Sequence, residues 1–521
     1  MTDSSIDAPI VETTLGRVRG SARAGGGLFF RGIPYAADTA GAHRFLPPQP
    51  ATPWSGVREA TAYGSSCPQI VTPRTRIFQW LASDAPLGED CLVLNVDTPA
   101  ADARKRPVMV YLHGGAFALG SGSSQVYDGA SLTQREDVVL VTVNHRLNLF
   151  GYLTPLANSD PRFADAGNAG MLDLVAALRW VRDNIARFGG DPDCVTIFGQ
   201  SGGGAKVAIL MAMAEAQGLF HRAIVQSSSS GFRVQPREEC EAATRKLFQK
   251  LELPEGDFTA LQAVPSATLL HAMQSVIGAS GGQDSFRPVI DGRTLKRHPF
   301  HPTAPEVSAS VPLMIGHTRT EATFFLAADP SNFTVDGDEA RKRIKRFLRV
   351  DESQAEAVLA VYEREHPKAP GSELLAYIAS DYLYRLNNIT GAEQKVKQGT
   401  APVYAYEFAW KSAVLGGKFM SPHTAEIPFV FGNVALAHAF TGDGPELPKL
   451  ERQVMKAWTQ FARTGNPQHD ELPAWPTYSL DERATMVFSA DTQVVNDPRG
   501  AERTAIAQIP AFHPGSSLYA R

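Results

Sequence analysis

Between Asp137 and Ser228 the chain runs strand, helix, strand, helix, strand, and few architectures accept that order. "DVVLVTVNHRL" (Asp137–Leu147) is apolar without the two-residue alternation of a half-exposed strand, so it reads as a strand buried on both faces. "NAGMLDLVAALRWVRDNIARFGG" then places Met171, Leu174, Val175, Leu178, Val181 and Ile185 at helical spacing, with Gly189 and Gly190 as its stop. "CVTIFG", a second helical stretch in "AKVAILMAMA", and "RAIVQSS" (Arg222–Ser228) complete the series. Successive βαβ units imply a parallel sheet covered by helices. "CLVLNVDTP" (Cys91–Pro99), "PVMVYLHGG" (Pro107–Gly115), "VPLMIGH" (Val311–His317) and "VYAYEFAW" (Val403–Trp410) supply further strands. The stretch from about 238 to 395 is richer in helical and loop patterns and is expected to cover the sheet.

Composition excludes more than it assigns. A chain of 521 residues with 43% apolar and 20% charged residues buries a large core and shows no extended disorder. A formal charge of −4 gives no basic footprint for nucleic acid, although local fields need not follow the net charge, so acidic substrates stay open. "MTDSSIDAPIVETTLG" has no basic segment leading into an apolar core, so no signal peptide is expected and a cytoplasmic location is the default, a secreted form staying open. Apolar runs such as "VAILMAMA" (Val207–Ala214) fall short of the roughly 18 residues a membrane span needs, and "SSLYAR" carries no lipidation signal. Cys194, among apolar neighbours, reads as a buried thiol. Neither an HExxH nor a paired CxxC is present, so no metal and no cofactor are expected.

The chemistry concentrates in "TIFGQSGGG" (Thr196–Gly204). A serine hydroxyl is a poor nucleophile at neutral pH and needs exposure, a base, and donors for the developing oxyanion. A sharp turn from strand to helix supplies the exposure, provided the residues two before and two after are small. Gly199 and Gly203 stand there, in the G-x-S-x-G pattern, and Ser201 falls at a helix N-terminus that favours negative charge. Such a pattern also arises by chance in long chains as a plain turn. Upstream, "YLHGGAF" (Tyr111–Phe117) ends another strand in a glycine loop suited to aiming backbone N–H groups at an oxyanion; His113 itself reads as a loop anchor. Two such loops at the ends of parallel strands meet on one edge of the sheet, where α/β active sites lie.

With these motifs the chain resembles the type-B carboxylesterase family of α/β-hydrolases, in the style of its bacterial para-nitrobenzyl-esterase-like members. "FRGIPYA" (Phe30–Ala36), "RFLPP" (Arg44–Pro48), "GEDCLVLNV" (Gly88–Val96), "HGGAF", "NHRLNLFGYL" (Asn144–Leu153), "FGGDPDCVTIFGQSGGG" (Phe188–Gly204), "AWTQFARTGNP" (Ala457–Pro467) and "AWPTY" (Ala474–Tyr478) occur in the family's order. The resemblance implies an α/β-hydrolase fold, a central mostly parallel twisted sheet flanked by helices, with helical cap or side regions around an active-site gorge. It implies one catalytic domain over 1–521, with its core at about 1–237, 305–330 and 400–521 and helical regions at 238–304 and 331–399.

It also implies a Ser-Glu-His triad. Ser201 is the nucleophile, Glu321 in "GHTRTEA" the acid, and His423 in "HTAEIPFVF" the base, while Glu426 is expected to fix the loop rather than act as a second acid. Gly115, Ala116 and Gly202 would form the oxyanion hole. The implied activity is hydrolysis of small to medium apolar carboxylic esters, with a small-molecule ester as partner and the chain a monomer or homodimer. Carbamate or aryl-amide hydrolysis and a non-catalytic binding role are the alternatives, the last opposed by the intact triad positions. Phe117, Ala205, Phe286, Phe324 and Phe325 are the expected substrate contacts. Three positions depart from the family: Gln200 where Glu is common, Gly202 where Ala is common, expected to loosen the oxyanion region slightly, and Leu174 where Gln is frequent. Cys67 and Cys91 match a family disulfide loop, and whether they are joined stays open.

Overall fold

The computed structural model describes residues 8–71, 74–228, 234–279, 286–348 and 350–509; the first seven residues and the whole of "SSLYAR" lie outside them. Among the described residues, eleven strands hydrogen-bond into one sheet. In chain order they are β1 (Ser21–Ala22), β2 (Leu28–Pro34), β3 (Val93–Thr98), β4 (Arg106–Leu112), β5 (Val139–Val143), β6 (Gly190–Gln200), β7 (Arg222–Gln226), β8 (Leu313–Thr318), β9 (Val403–Phe408), β10 (Ala484–Phe488) and β11 (Gln493–Asn496). Their spatial order is β11-β10-β9-β8-β7-β6-β4-β5-β3-β2-β1.

The seven strands from β5 across to β10 are parallel, and antiparallel pairs close the sheet at both edges. All the β strands expected from apolar runs are present, whereas β1, β2, β10 and β11 carried no clear periodic signal. In β2, "LFFRGIP", the register slips between Phe30 and Ile33, which breaks the alternation. After β4 the chain places β5 on one side and β6 on the other, so the crevice beyond the ends of β4 and β6 is the switch point of this sheet.

Side chains alternate between two cores across the parallel strands. Val108, Val110 and Leu112 of β4 pack with the helix Ala169–Asn184 on one face, while Met109 and Tyr111 pack with the helix Leu447–Thr464 and its Trp458 on the other. Each strand is therefore buried on both sides, as runs without alternation require. Helices at Arg237–Lys250, Ser266–Ala279, Gly337–Leu348, Glu352–Glu365, Gly371–Ser380 and Leu386–Gln398 lie outside the sheet. No helix of the described residues is long and apolar enough to cross a membrane.

Buried ion pairs join distant motifs. Arg44 of "RFLPP" makes a bidentate pair with Glu89 of "GEDC", at 2.7 and 2.6 Å. Arg146 of "NHRL" donates to Asp173 of "GMLDL" at 2.8 and 2.6 Å, and both side chains are enclosed. Asp381 accepts from Tyr362, Arg385 and Arg499, which anchors the wide turn Asp381–Arg385 beside the sheet's end. Cys67 and Cys91 are both free and buried; their mutual hydrogen bond and burial push the Cys91 thiol well up. Cys194, expected to be buried, is half-buried instead and accepts from the Arg222 guanidinium at 3.3 Å, because it falls in the partly exposed first half of β6, ahead of the enclosed run from Val195.

Candidate active site

Ser201 sits between β6 and the helix Gly202–Leu210 with φ +59° and ψ −122°, a conformation side chains rarely adopt. Its N–H donates to the Gln226 carbonyl at 2.9 Å, which ties the turn to β7. The turn closes only on glycine. A Cβ at Gly203 would stand 1.9 Å from the Leu112 carbonyl oxygen, and one at Gly199 2.5 Å from Gly203 itself. At Gly202 the Ala116 backbone fills the space a side chain would take, 2.3 to 2.5 Å from a built Cβ, so the oxyanion region is not the looser one expected for a glycine there.

Glu321 follows β8 and is fully buried. Its Oε1 accepts from the Thr318 N–H at 2.8 Å, and its Oε2 accepts from His423 Nδ1. The carboxylate thus fixes the proton on Nδ1 and leaves Nε2 with its lone pair. The two loops are stitched by Thr320 and Ser421, whose N–H groups donate to the Ser421 carbonyl at 3.0 Å and the Thr320 hydroxyl at 2.8 Å. Gln200 Nε2 lies 3.2 Å from His423 Nε2, so the residue before the serine reaches the imidazole with an amide. Glu426 is buried behind Glu321 and accepts from Gln226 Nε2 at 3.2 Å. Burial, with the Glu321 charge adding to it, pushes its carboxyl up to about 8, so it is neutral at physiological pH.

The loop after β4 presents amides rather than carbonyls to the cavity. Lys206 donates to the His113 and Ala116 oxygens at 3.0 and 2.9 Å, and His113 Nδ1 to the Gly114 oxygen at 2.8 Å. The Leu119 N–H takes the Gly115 oxygen at 3.1 Å, and the Asn148 N–H the Phe117 oxygen at 2.6 Å. Every carbonyl from His113 to Phe117 is occupied, while the N–H groups of Gly115 and Ala116 meet no acceptor among the described residues.

Ser201, His423, Gly115 and Ala116 line one cavity of about 410 Å³. Phe324 and Phe325 line it as well, Phe325 half-exposed at 48% and its ring 5.3 Å from the His423 ring. Gly202 is buried against the Ala116 backbone and does not itself line the cavity. Three expected contacts lie elsewhere. Phe117 turns into the core edge-on to Tyr152 at 5.3 Å, and Ala205 and Phe286 are buried in the same core, the helix that carries Ala205 being enclosed along its whole length. Sequence reasoning missed Tyr384, whose ring lies 4.8 Å from His423, together with Tyr127 and Arg74 on the cavity wall. It also missed Lys206, although a lone lysine within "GAKVAILMAMA" was a visible signal.

A strand-turn-helix serine, a carboxylate-bound histidine and an amide-lined loop converge at the switch point, and the sequence profile of the carboxylesterase family matches residues 7–506. The chain belongs to the carboxylesterase family. It is 36% identical over 503 residues to the para-nitrobenzyl esterase of Bacillus subtilis, covering 95% of this chain and 97% of that protein. It is 34% identical to the phenmedipham hydrolase of Pseudarthrobacter oxydans, over 92% of this chain and 95% of that one. Among solved structures, the carboxylesterase of Geobacillus stearothermophilus superposes with a TM-score of 0.83 at 40% identity, over 95% of this chain and 99% of that chain. This carboxylesterase is accordingly a carboxylic ester hydrolase of the α/β-hydrolase fold.

Proposed function

We propose that this carboxylesterase cleaves small to medium apolar esters through an acyl-enzyme on Ser201. The reading rests on one arrangement: His423 bound through Nδ1 to Glu321, and free amides at Gly115 and Ala116, around the same cavity as Ser201. His423 Nε2 takes the Ser201 proton as Oγ attacks the ester carbonyl, and Glu321 stabilises the imidazolium without itself taking a proton. The N–H groups of Gly115, Ala116 and Gly202 hold the oxyanion, each such donor being typically worth about 3 kcal/mol of barrier. The imidazolium protonates the departing alkoxide, and water, deprotonated by the same histidine, releases the acid. Phe324 and Phe325 give the substrate an apolar wall, and the chain acts as one catalytic domain with its helices around the cavity.

Carbamate cleavage by the same groups is the second reading, favoured by the similarity to a phenmedipham hydrolase. A panel of p-nitrophenyl esters of rising acyl length, with a matched aryl carbamate, separates the two. Esters of short to medium chains should give kcat/KM at least about 100-fold above the carbamate, whose carbonyl is the poorer electrophile. A carbamate turned over as fast as the best ester would reverse the assignment.

A further inference from the structure

Lys206 lies in the helix that starts at Gly202, one turn beyond the nucleophile, and none of its surface reaches solvent. A buried ammonium is costly unless a carboxylate pairs with it. None of the described carboxylates does. Its hydrogen bonds go to the carbonyl oxygens of His113 and Ala116, and the Phe117 ring lies 5.5 Å from Nζ. In a trans peptide the C=O and the following N–H point in opposite directions. Drawing both oxygens toward the helix therefore sets the His113–Gly114 and Ala116–Phe117 peptide planes, which bracket the two peptides that carry the Gly115 and Ala116 N–H groups.

We infer that Lys206 is a positioning residue of the oxyanion loop: its ammonium pins the His113–Gly114 and Ala116–Phe117 peptides at the two ends of the stretch and places a positive charge against the loop that carries the Gly115 and Ala116 amides. The inference rests on the triad reading above. His113 Nδ1 and the Leu119 N–H hold the Gly114 and Gly115 carbonyls between those ends, but neither brings a positive charge. The titratable side chains that face Lys206 are His113 and His145, from the loops after β4 and β5, their rings 4.8 Å apart. Burial first, and then the Lys206 charge, push the His113 imidazole down to about 3 and that of His145 well below its ordinary range, so both are neutral. No described carboxylate opposes the positive charge against the loop, and it favours a developing oxyanion more than a neutral ester.

The clamp also titrates. Burial lowers the ammonium to about 7, so it is charged below that pH and neutral above it. A neutral amine keeps two N–H donors for the two carbonyls, so the loop holds its shape and loses only the charge. As pH rises through about 7, kcat/KM should step down to a lower plateau rather than to zero.

The test is a profile of kcat and KM for a neutral aryl butyrate from about pH 6 to 9.5, on the wild type and on Lys206→Met. The wild type should lose about tenfold in kcat/KM across the step. Lys206→Met should show kcat about 10–100-fold lower at neutral pH, with KM within about threefold and no alkaline step. Its affinity for a trifluoromethyl ketone, which forms a tetrahedral adduct on the serine, should fall in parallel with kcat. A wild-type profile flat above pH 7, or a Lys206→Met enzyme with wild-type kcat, overturns the inference. If Lys206→Met does not fold, the wild-type profile decides alone. A Ser201→Ala control separates the two levels: turnover in that variant would remove the triad reading, whereas its silence beside a flat wild-type profile removes only the role of Lys206.

Discussion

Ser201→Ala should lower kcat for p-nitrophenyl butyrate by about 10⁵-fold or more, with the melting temperature of the variant at or near that of the wild type. The size follows from the loss of covalent catalysis itself. With no Oγ, neither the His423–Glu321 pair nor the amides of Gly115 and Ala116 has an attacking atom to assist, and only a slow attack by water within the oxyanion hole is left. The fold is expected to tolerate the change, since alanine removes one oxygen and the backbone conformation at 201 is held by the Gln226 carbonyl and the close approach of Leu112 to Gly203. A folded Ser201→Ala enzyme with wild-type turnover would displace the nucleophile to another residue.

Asp173→Asn should destabilise the protein by about 3–5 kcal/mol, read as a lower melting temperature and lower soluble yield. Asp173 accepts from Arg146 Nε and Nη2 and from the Arg146 backbone N–H at 3.0 Å, and both side chains are inaccessible to water. Asparagine keeps the volume and one accepting oxygen but leaves a guanidinium buried without a counter-charge, its other partner the Leu46 carbonyl at 2.6 Å. The penalty is therefore that of an isolated charge rather than of a lost hydrogen bond. The double variant Arg146→Met/Asp173→Leu, which removes both charges, should recover much of the loss. Equal melting temperatures for Asp173→Asn and the wild type would contradict this account of the pair.

The parallel half of the sheet was legible because strands buried on both faces leave unbroken apolar runs, and because the helix from Ala169 carries its apolar residues at regular spacing. The antiparallel edges were not, since β1 has two residues and β2 is interrupted by its bulge at Arg31 and Gly32. At the site, the turn pattern itself marked 199 and 203 as positions that neighbouring backbone crowds, although the oxygen that excludes a Cβ at Gly203 is that of Leu112 on β4. The reason for Gly204 could not be anticipated, for a Cβ there meets the Gln226 carbonyl at 2.8 Å, on a strand 22 residues further along the chain. The substrate wall was the least legible part. Whether a phenylalanine faces the cavity or the core depends on which way its loop turns, and Phe117, one residue beyond the oxyanion loop, turns inward beneath the Lys206 ammonium. Tyr384 reaches His423 from a turn anchored by Asp381, far from any motif.

Trapping the covalent intermediate tests the central claim most directly. A rapid-mixing measurement with a p-nitrophenyl ester, quenched in acid and followed by peptide mass mapping, should show a burst of close to one equivalent of p-nitrophenol and the acyl group on Ser201. No burst under conditions where deacylation is slow, or an acyl group on any other residue, would contradict it.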